Sequence, residues 1–289
     1  MGSRTLIIGA GYVGEALADF LSARGDSVLA CTASSASART LGEKKLYPVR
    51  ACDVSDPAAV ESLRANEGKF DQVILCASSG RGGPAQYRAI FLEGAKNLSA
   101  NFRDTRLIFT GSTSVYAQTD GNWVDETSPT EPDREPGRIL RAAEDIVRAA
   151  GGVVARLAGI YGPGRSVLLR RFLAGEAIMD GEGERWINQA HRDDIVTALA
   201  TLQSAPAAGV YNVCDNRPLT QLECYHWLAG HFGLPMPPAA PPDYTRKRGW
   251  TNKRVANTRL RALGWAPRHE CFFDAVRAGL DPGSAADSA

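Results

Sequence analysis

Two groups of residues in this 289-residue chain have types and spacings that suit chemistry. The first is Gly9-Ala10-Gly11-Tyr12-Val13-Gly14, set between the apolar run TLII and the amphipathic run EALADFLSAR. A G-x-G-x-x-G spacing that follows a strand and opens a helix suits a dinucleotide. Gly9 permits the tight turn, Gly11 leaves room for a pyrophosphate against the backbone, and Gly14 lets the helix pack close to the strand. The helix start, with Tyr12 and Val13, offers free N–H groups and the positive end of the helix dipole. An ordinary turn is the alternative. The second group is Ser112-Thr113-Ser114, after the apolar run RLIF. A hydroxyl at the carboxyl edge of a parallel sheet stands where open α/β folds bind ligands. Ser112 there can hydrogen-bond a substrate carbonyl or hydroxyl, and can equally cap a turn.

Residues around the first group refine the expected ligand. A carboxylate ending the second strand would hold the adenosine ribose hydroxyls and select NAD. The run SVLACT instead leads into Ala33-Ser34-Ser35-Ala36-Ser37, and the next acid is Glu43. Ser34 and Arg39 are left as candidates to meet a 2′-phosphate, which favours NADP and keeps NAD open. Arg39 can also be a solvated loop charge. Asp53, after the third strand-like run, is placed to accept from an adenine amino group or to serve a turn. Cys76, Ala77 and Ser78 end the run QVILCAS and are candidate cofactor contacts at the same edge.

The elements that must position these residues alternate. Apolar runs at TLII, SVLACT, LYPVRACD, QVILCAS, RLIFTGS and GVVARLAG are separated by helical patterns at GEALADFLSAR, AAVESLRA, QYRAIFLEGAKNLSANF and RILRAAEDIVRAA. Asp56-Pro57 is an N-cap followed by a proline at the first helical position. This βαβα order predicts an α/β fold, a Rossmann-type doubly wound parallel sheet covered by helices on both faces. Near-continuous apolar strands agree, because both faces of such a sheet are buried. After Gly159 the pattern loosens. Residues 1–160 are expected to form the dinucleotide-binding domain, with 188–215, including the strand GVYNVCD, returning to it. Residues 161–187 and 216–278 are expected to form a smaller C-terminal substrate lobe, and 279–289 a flexible tail.

Composition excludes several classes. Lys plus Arg is 33 and Asp plus Glu 32, for a net charge of +1. Nucleic-acid binders usually carry a basic excess or stripe, so no nucleic-acid partner is expected; the basic cluster Arg246, Lys247, Arg248, Lys253, Arg254 reads as a solvated face or as part of the C-terminal substrate lobe before NTRLRALGW. No run approaches the ~18 apolar residues of a membrane span, and the glycine-broken start does not match a signal peptide. The six cysteines form no CxxC pair, so no metal site is expected. Reduced buried thiols suit a cytoplasmic protein.

With TGSTSVYAQTDGNWVDETSPTEP, RLAGIYGPGR, HRDDI and GVYNVCD in order, residues 5 to 267 resemble the extended and atypical short-chain dehydrogenase/reductases, the NAD-dependent epimerase/dehydratase family. The resemblance implies that Ser112 is the active-site serine and that Ser114 lies beside the substrate. It implies that Tyr161 and Arg165 border nicotinamide and substrate, Arg165 able to bind an anion. His191 matches a family histidine near the cleft. As imidazole titrates near neutrality, it is a candidate proton carrier, or a structural histidine at a domain junction. Tyr116 matches a mainly structural aromatic. The family pattern also expects Tyr-Gly-x-x-Lys-x-x-x-Glu. In the register set by Gly137 and Glu144, Pro136 stands for the tyrosine and Leu140 for the lysine. The usual acid–base pair is then absent. Arg138 and Arg141 are left as a solvated helix face or as anion contacts; arginine stays protonated and is a poor general acid.

Three functions follow. The leading one is an NAD(P)-dependent oxidoreductase acting on a small polar molecule, with Ser112 and His191 carrying catalysis. The second is an epimerase or dehydratase that retains its cofactor. The third is a non-catalytic NADP(H)-binding sensor or scaffold. A homodimer is left open.

Overall fold

The computed structural model describes residues 2–80, 82–245 and 250–283. Arg246, Lys247 and Arg248 of the basic cluster, and residues 284–289 of the expected tail, lie outside the described residues.

The N-terminal run is β1 (Arg4–Ile8), α1 (Tyr12–Ala23), β2 (Ser27–Thr32), α2 (Ser35–Gly42), β3 (Val49–Ala51), α3 (Pro57–Glu67) and β4 (Gln72–Leu75). It continues through α4 (Pro84–Tyr87), a π-helical stretch over Arg88–Glu93, α5 (Gly94–Asn101), β5 (Arg106–Ser112), a one-turn 3₁₀ helix (Thr113–Val115), β6 (Trp123–Val124), α6 (Glu135–Ala149) and β7 (Val153–Leu157). The rest is β8 (Gly159–Tyr161), α7 (Val167–Leu173), β9 (Met179–Asp180), β10 (Trp186–Ile187), β11 (Gln189–His191), α8 (Arg192–Leu202), β12 (Val210–Val213), β13 (Leu219–Thr220), α9 (Gln221–Phe232), β14 (Ala239–Ala240), β15 (Arg254–Val255), α10 (Thr258–Arg261) and α11 (Phe272–Arg277).

Seven strands form one parallel sheet in the order β12-β7-β5-β4-β1-β2-β3. The chain runs outward from β1 to β3, then resumes on the other side of β1 with β4. The switch point therefore falls between β1 and β4, where open α/β sheets form their ligand crevice. β12, from GVYNVCD, pairs with β7 at the sheet's edge. A main core fills both faces of this sheet, and a second apolar cluster forms around Tyr161, Phe172, Tyr225, Leu228 and Phe272.

Local chemistry sets several boundaries. Asp56 caps α3 by accepting from Ala58 N–H (2.9 Å), with Pro57 at the helix start, as the sequence predicts. Four segments differ from expectation. The serine-rich stretch after β2 forms α2, capped by Ser34, whose Oγ accepts from Ser37 N–H (3.2 Å); the cap offsets weak helix propensity. Ser34 thus caps a helix and Arg39 lies in its last turn, rather than both in a loop. β3 is only three residues of the eight expected, because Pro48 has no N–H to donate. The long fourth helix carries the π-helical stretch. The sixth apolar run breaks after Leu157, and β8 leaves the sheet to pair with β11.

β7 carries the one buried charge of the central strands. Arg156 is 3% exposed and lies over fully buried Glu144 of α6. Its Nε and Nη2 donate to the two carboxylate oxygens at 3.0 and 2.7 Å, and Nη1 donates to Tyr116 Oη at 2.8 Å. Removing one partner of such a pair leaves an uncompensated buried charge at a cost of about 3–5 kcal/mol. Glu144→Ala is expected to lower unfolding free energy in urea by that order. A loss below about 1 kcal/mol, the range of exposed pairs, would sink the assignment of this pair as a core organiser.

Candidate active site

The glycine run forms a cradle at the switch point. Gly9 has φ 97°, a left-handed conformation that favours glycine, and a Cβ there would collide with the backbone of Ala77. Cys31 O accepts from Gly9 and Ala10 N–H (3.0 and 2.8 Å). A Cβ on Gly14 would strike the Gly9 carbonyl, so α1 begins flush against the loop. Nothing lies within 4 Å of the Cβ position of Gly11, and α1 has no side-chain cap. Its first-turn N–H groups therefore have no side-chain acceptor and suit a pyrophosphate. The residues present fit a dinucleotide.

After β2, Ser34, Ser35 and Ser37 at the start of α2 and Arg39 in its last turn are all exposed, and no carboxylate stands among them. Asp53 is exposed and holds a local turn: its Oδ1 accepts from Ser55 N–H (3.0 Å) and from the Ser55 hydroxyl (2.7 Å). Cys76 and Ala77 pack against the glycines. Burial pushes the Cys76 thiol up to about 12, which makes it a poor nucleophile. Exposed Ser78 accepts from Gly80 N–H (3.2 Å).

Ser112 ends β5 and caps the 3₁₀ turn, its Oγ accepting from Ser114 N–H (3.2 Å). Its hydroxyl proton has no acceptor among the described residues. Ser114 lies against the first turn of α6, where a Cβ on Gly137 would sit 3.6 Å from its carbonyl oxygen. In α6, Pro136 fills the start of the helix, where a missing N–H costs nothing. Leu140 is buried in the main core. Arg138 is exposed and donates to Asp133 O (2.7 Å), while Arg141 donates to Thr130 Oγ1 (2.9 Å) and pairs with Asp145.

The structure brings Arg165 to the cradle. Its guanidinium lies 5.2 Å from the Tyr12 ring, and that of Arg192 lies 5.3 Å from the same ring. The Tyr12 hydroxyl donates to Pro163 O (3.0 Å), and burial raises its pKa to about 12. Tyr161 is buried edge-on to His191 (5.3 Å) and Phe272 (5.4 Å), and its hydroxyl has no partner among the described residues.

His191 departs from expectation. Its Nδ1 caps α8 by accepting from Asp193 N–H (3.2 Å), so the proton of the neutral ring sits on Nε2. Burial, then the nearby His269, push its pKa down to about 4. At neutral pH it is an uncharged imidazole rather than a group poised to release a proton. Ser112 and His191 share no hydrogen bond. Sequence reasoning missed His269, whose ring lies 4.0 Å from that of His191 and whose Nδ1 is 2.9 Å from Asp194 Oδ2. Asp194 also accepts from Arg268 N–H (2.7 Å) and His269 N–H (3.2 Å). Single donor atoms of His191, Asp194 and His269 lie within 4.8 Å of one another. Asp194 and His269 form a hydrogen-bonded clasp, both Asp194 oxygens being engaged, and the His191 ring packs against that of His269. Nothing local in the sequence pairs positions 194 and 269.

Comparisons with known proteins settle the family. Residues 5–214 match the model described as "NAD dependent epimerase/dehydratase family". The chain belongs to this family. It is similar to Protein YeeZ of Escherichia coli K12, 32% identical over 251 residues, 81% of this chain and 85% of the relative. It is also similar to a dTDP-4-dehydrorhamnose reductase of Mycolicibacterium smegmatis, 31% identical, over 69% of this chain and 60% of that one. Among solved structures, a putative NAD-dependent epimerase/dehydratase from Methylobacillus flagellatus superposes with TM-score 0.77 at 26% identity, covering 96% of this chain and 97% of its own. A UDP-glucose 4-epimerase from Thermotoga maritima shares the fold, with TM-score 0.77 at 19% identity over 95% of this chain and 99% of its own. The cofactor class of the family is a nicotinamide dinucleotide. No helix among the described residues is long and apolar enough to cross a membrane.

The His191 geometry gives a signed pH dependence. Its folded pKa of about 4 lies below the ordinary 6.5, so the unfolded chain binds the extra proton between those values and stability falls as pH drops through that window. His191→Asn keeps a cap acceptor and removes the titration. Melting temperature followed from pH 7 to 4 should decline less steeply in His191→Asn than in wild type; parallel curves would remove His191 from the acid response.

Proposed function

We propose that this protein is an NADP(H)-using oxidoreductase acting on a small polar molecule at the carboxyl edge of β5 and β7. The observation that carries the reading is the open glycine cradle beside an uncommitted Ser112 hydroxyl at the same sheet edge. A bound nicotinamide supplies hydride transfer. The first-turn N–H groups of α1 would hold the pyrophosphate, and Tyr12 would fix the cradle against Pro163. Ser112 would donate to the oxygen on the reacting carbon and orient it. The proton would come from water or from the substrate itself, because the buried His191 is uncharged at neutral pH. NADP is favoured over NAD because β2 ends without a carboxylate and α2, which follows it, carries exposed Ser34, Ser35, Ser37 and Arg39. Six free thiols are consistent with a reducing cytoplasm.

A sensor reading rests on a different observation. Pro136 and Leu140 are both buried in the fold, where the family pattern places its acid–base pair. In that case the chain binds NADP(H), turns nothing over, and holds a partner according to cofactor redox state.

Calorimetric titration with NAD, NADH, NADP and NADPH is the first test. NADPH should bind at least about tenfold more tightly than NADH, and Arg39→Ala should erase most of that difference. If none of the four binds, both readings are lost. Substrate-dependent loss of NADPH absorbance, collapsing in Ser112→Ala with NADPH affinity unchanged, would support the oxidoreductase. Turnover without net absorbance change would point to an epimerase or dehydratase, and tight binding with no turnover to the sensor.

A further inference from the structure

Among the described residues Lys253 is a buried cation without a counter-ion. The residue is only 5% exposed, and the one partner its Nζ has there is the Thr251 hydroxyl at 2.9 Å. Among the described residues no carboxylate lies within ion-pair distance of it. The charge that acts on it is a second cation, Arg185, which is joined to Asp180 (2.9 Å). Two further polar atoms nearby in the chain path are buried without partners, the Trp250 indole N–H and Gln118 Oε1.

This segment crosses the cleft edge. Asn252 N–H donates to Gln118 O (3.0 Å), and Asn252 O accepts from Gly121 N–H (2.9 Å), in the loop that follows Ser112. Asn252 Oδ1 accepts from Trp186 N–H (2.9 Å). Asn188 donates through Nδ2 to Lys253 O (2.9 Å), and its own carbonyl accepts from Gly159 N–H (3.0 Å), just past β7. Lys253 is thus tied to the loops beyond β5 and β7, the two strands whose ends define the proposed reaction site. The next side chain, Arg254, lies between the Trp123 and Trp186 rings, at 5.2 and 5.0 Å.

Burying an ammonium against a neutral hydroxyl is costly, and a neighbouring cation adds to the cost. Folds keep such groups where function uses them. With donors in excess of acceptors, the missing component is an acceptor with negative charge. We propose that the Lys253 ammonium, with the Trp250 N–H, anchors an anionic group of the substrate, a carboxylate or a phosphate, at the cleft edge beyond β5 and β7. The proposal rests on the reading of that edge as a substrate site and adds the charge of the substrate. Burial, with Arg185 adding to it, lowers the amine to about 8; an anion bound beside it would raise that value.

The test is thermal denaturation of wild type, Lys253→Met, Lys253→Arg and Trp250→Phe in chloride, in inorganic phosphate and in acetate at matched ionic strength. In chloride, Lys253→Met should melt higher than wild type, because an unpaired buried charge is gone. Phosphate or acetate should raise the wild-type melting temperature; the more effective ion names the anion class. Phosphate also suits the glycine cradle, so the quantity read is the difference between wild type and Lys253→Met. Lys253→Arg should keep the anion response and Trp250→Phe should weaken it. An anion response as large in Lys253→Met as in wild type overturns the proposal, as does a wild type that responds to neither ion. NADPH titration of Lys253→Met separates the two readings. If no variant binds NADPH while the Lys253-dependent anion response persists, the oxidoreductase reading fails and the anion site stands.

Discussion

The buried contact of Glu144 with Arg156 fixes the frame on which the site is built. Arg156 spends three donors on two partners: Nε and Nη2 on the carboxylate, Nη1 on the Tyr116 hydroxyl. Tyr116 passes its proton to Asn212 Oδ1 in β12 (2.9 Å). Asn212 accounts for its other donors, giving Nδ2–H to Ala256 O (3.0 Å) and its backbone N–H to Glu126 Oε1 (2.7 Å). One guanidinium thereby sets α6 against β7, the loop after Ser112 against β12, and the returning segment 254–257 against both. Room for the carboxylate comes from Gly111, where a Cβ would come within 3.2 Å of Glu144 Oε1. A buried ion pair is weak evidence of stability, but a fully hydrogen-bonded one discriminates against wrong registers. That is the use it has beneath a site assembled from segments far apart in sequence.

A second linkage joins the cradle to the smaller lobe. Tyr12 belongs to the glycine run, yet its hydroxyl donates to Pro163 and its ring lies between the guanidinium groups of Arg165 and Arg192. Gly162, with φ 152°, has no room for a Cβ, which would meet Tyr12 Oη at 2.8 Å. The turn after β8 is thus shaped to receive a side chain from the dinucleotide loop. The turn cannot shift alone without breaking the Tyr12–Pro163 hydrogen bond and the Arg165 cation–π contact, and the glycine loop cannot shift without breaking these and the Arg192 contact.

What the sequence made legible was local. The glycine run, the Asp56-Pro57 helix start and the apolar strands each act within a few residues, and each formed where its chemistry predicts. The parallel sheet followed from their alternation. Misses came where local propensity met a competing term. A serine-rich stretch reads as a loop until Ser34 is seen to cap it. The run GVVARLAG reads as one strand, yet the chain turns out of the sheet after Leu157. Partners distant in sequence left no trace: Asp194 with His269, or Asn188 with Lys253, are pairings that only the fold creates. His191 shows the limit most clearly, because its residue type suggested a group titrating near neutrality and its burial, with His269 adding to it, moved that titration down to about 4.

Unmet buried polar atoms occur in both parts of the described structure, Ser3 Oγ, Gln72 Oε1 and Ser99 Oγ around the main sheet among them. The buried charges Glu144 and Arg156 are paired and satisfied. Among the described residues the Tyr161 hydroxyl and Asp215 Oδ1 have no hydrogen-bond partner, and Lys253 has one neutral partner. Burial, with Asp194 adding to it, pushes the Asp215 carboxyl well above the usual carboxylate range. Unsatisfied groups lower stability, and a core free to optimise would replace them with apolar side chains. Where such a group borders a cleft, a bound polar molecule can complete its hydrogen bonding. The inward face of α6 is filled by Pro136, Leu140 and Glu144, all packed or paired, so in the proposed reading contacts to the substrate fall to the loop after β5 and to the segment carrying Lys253.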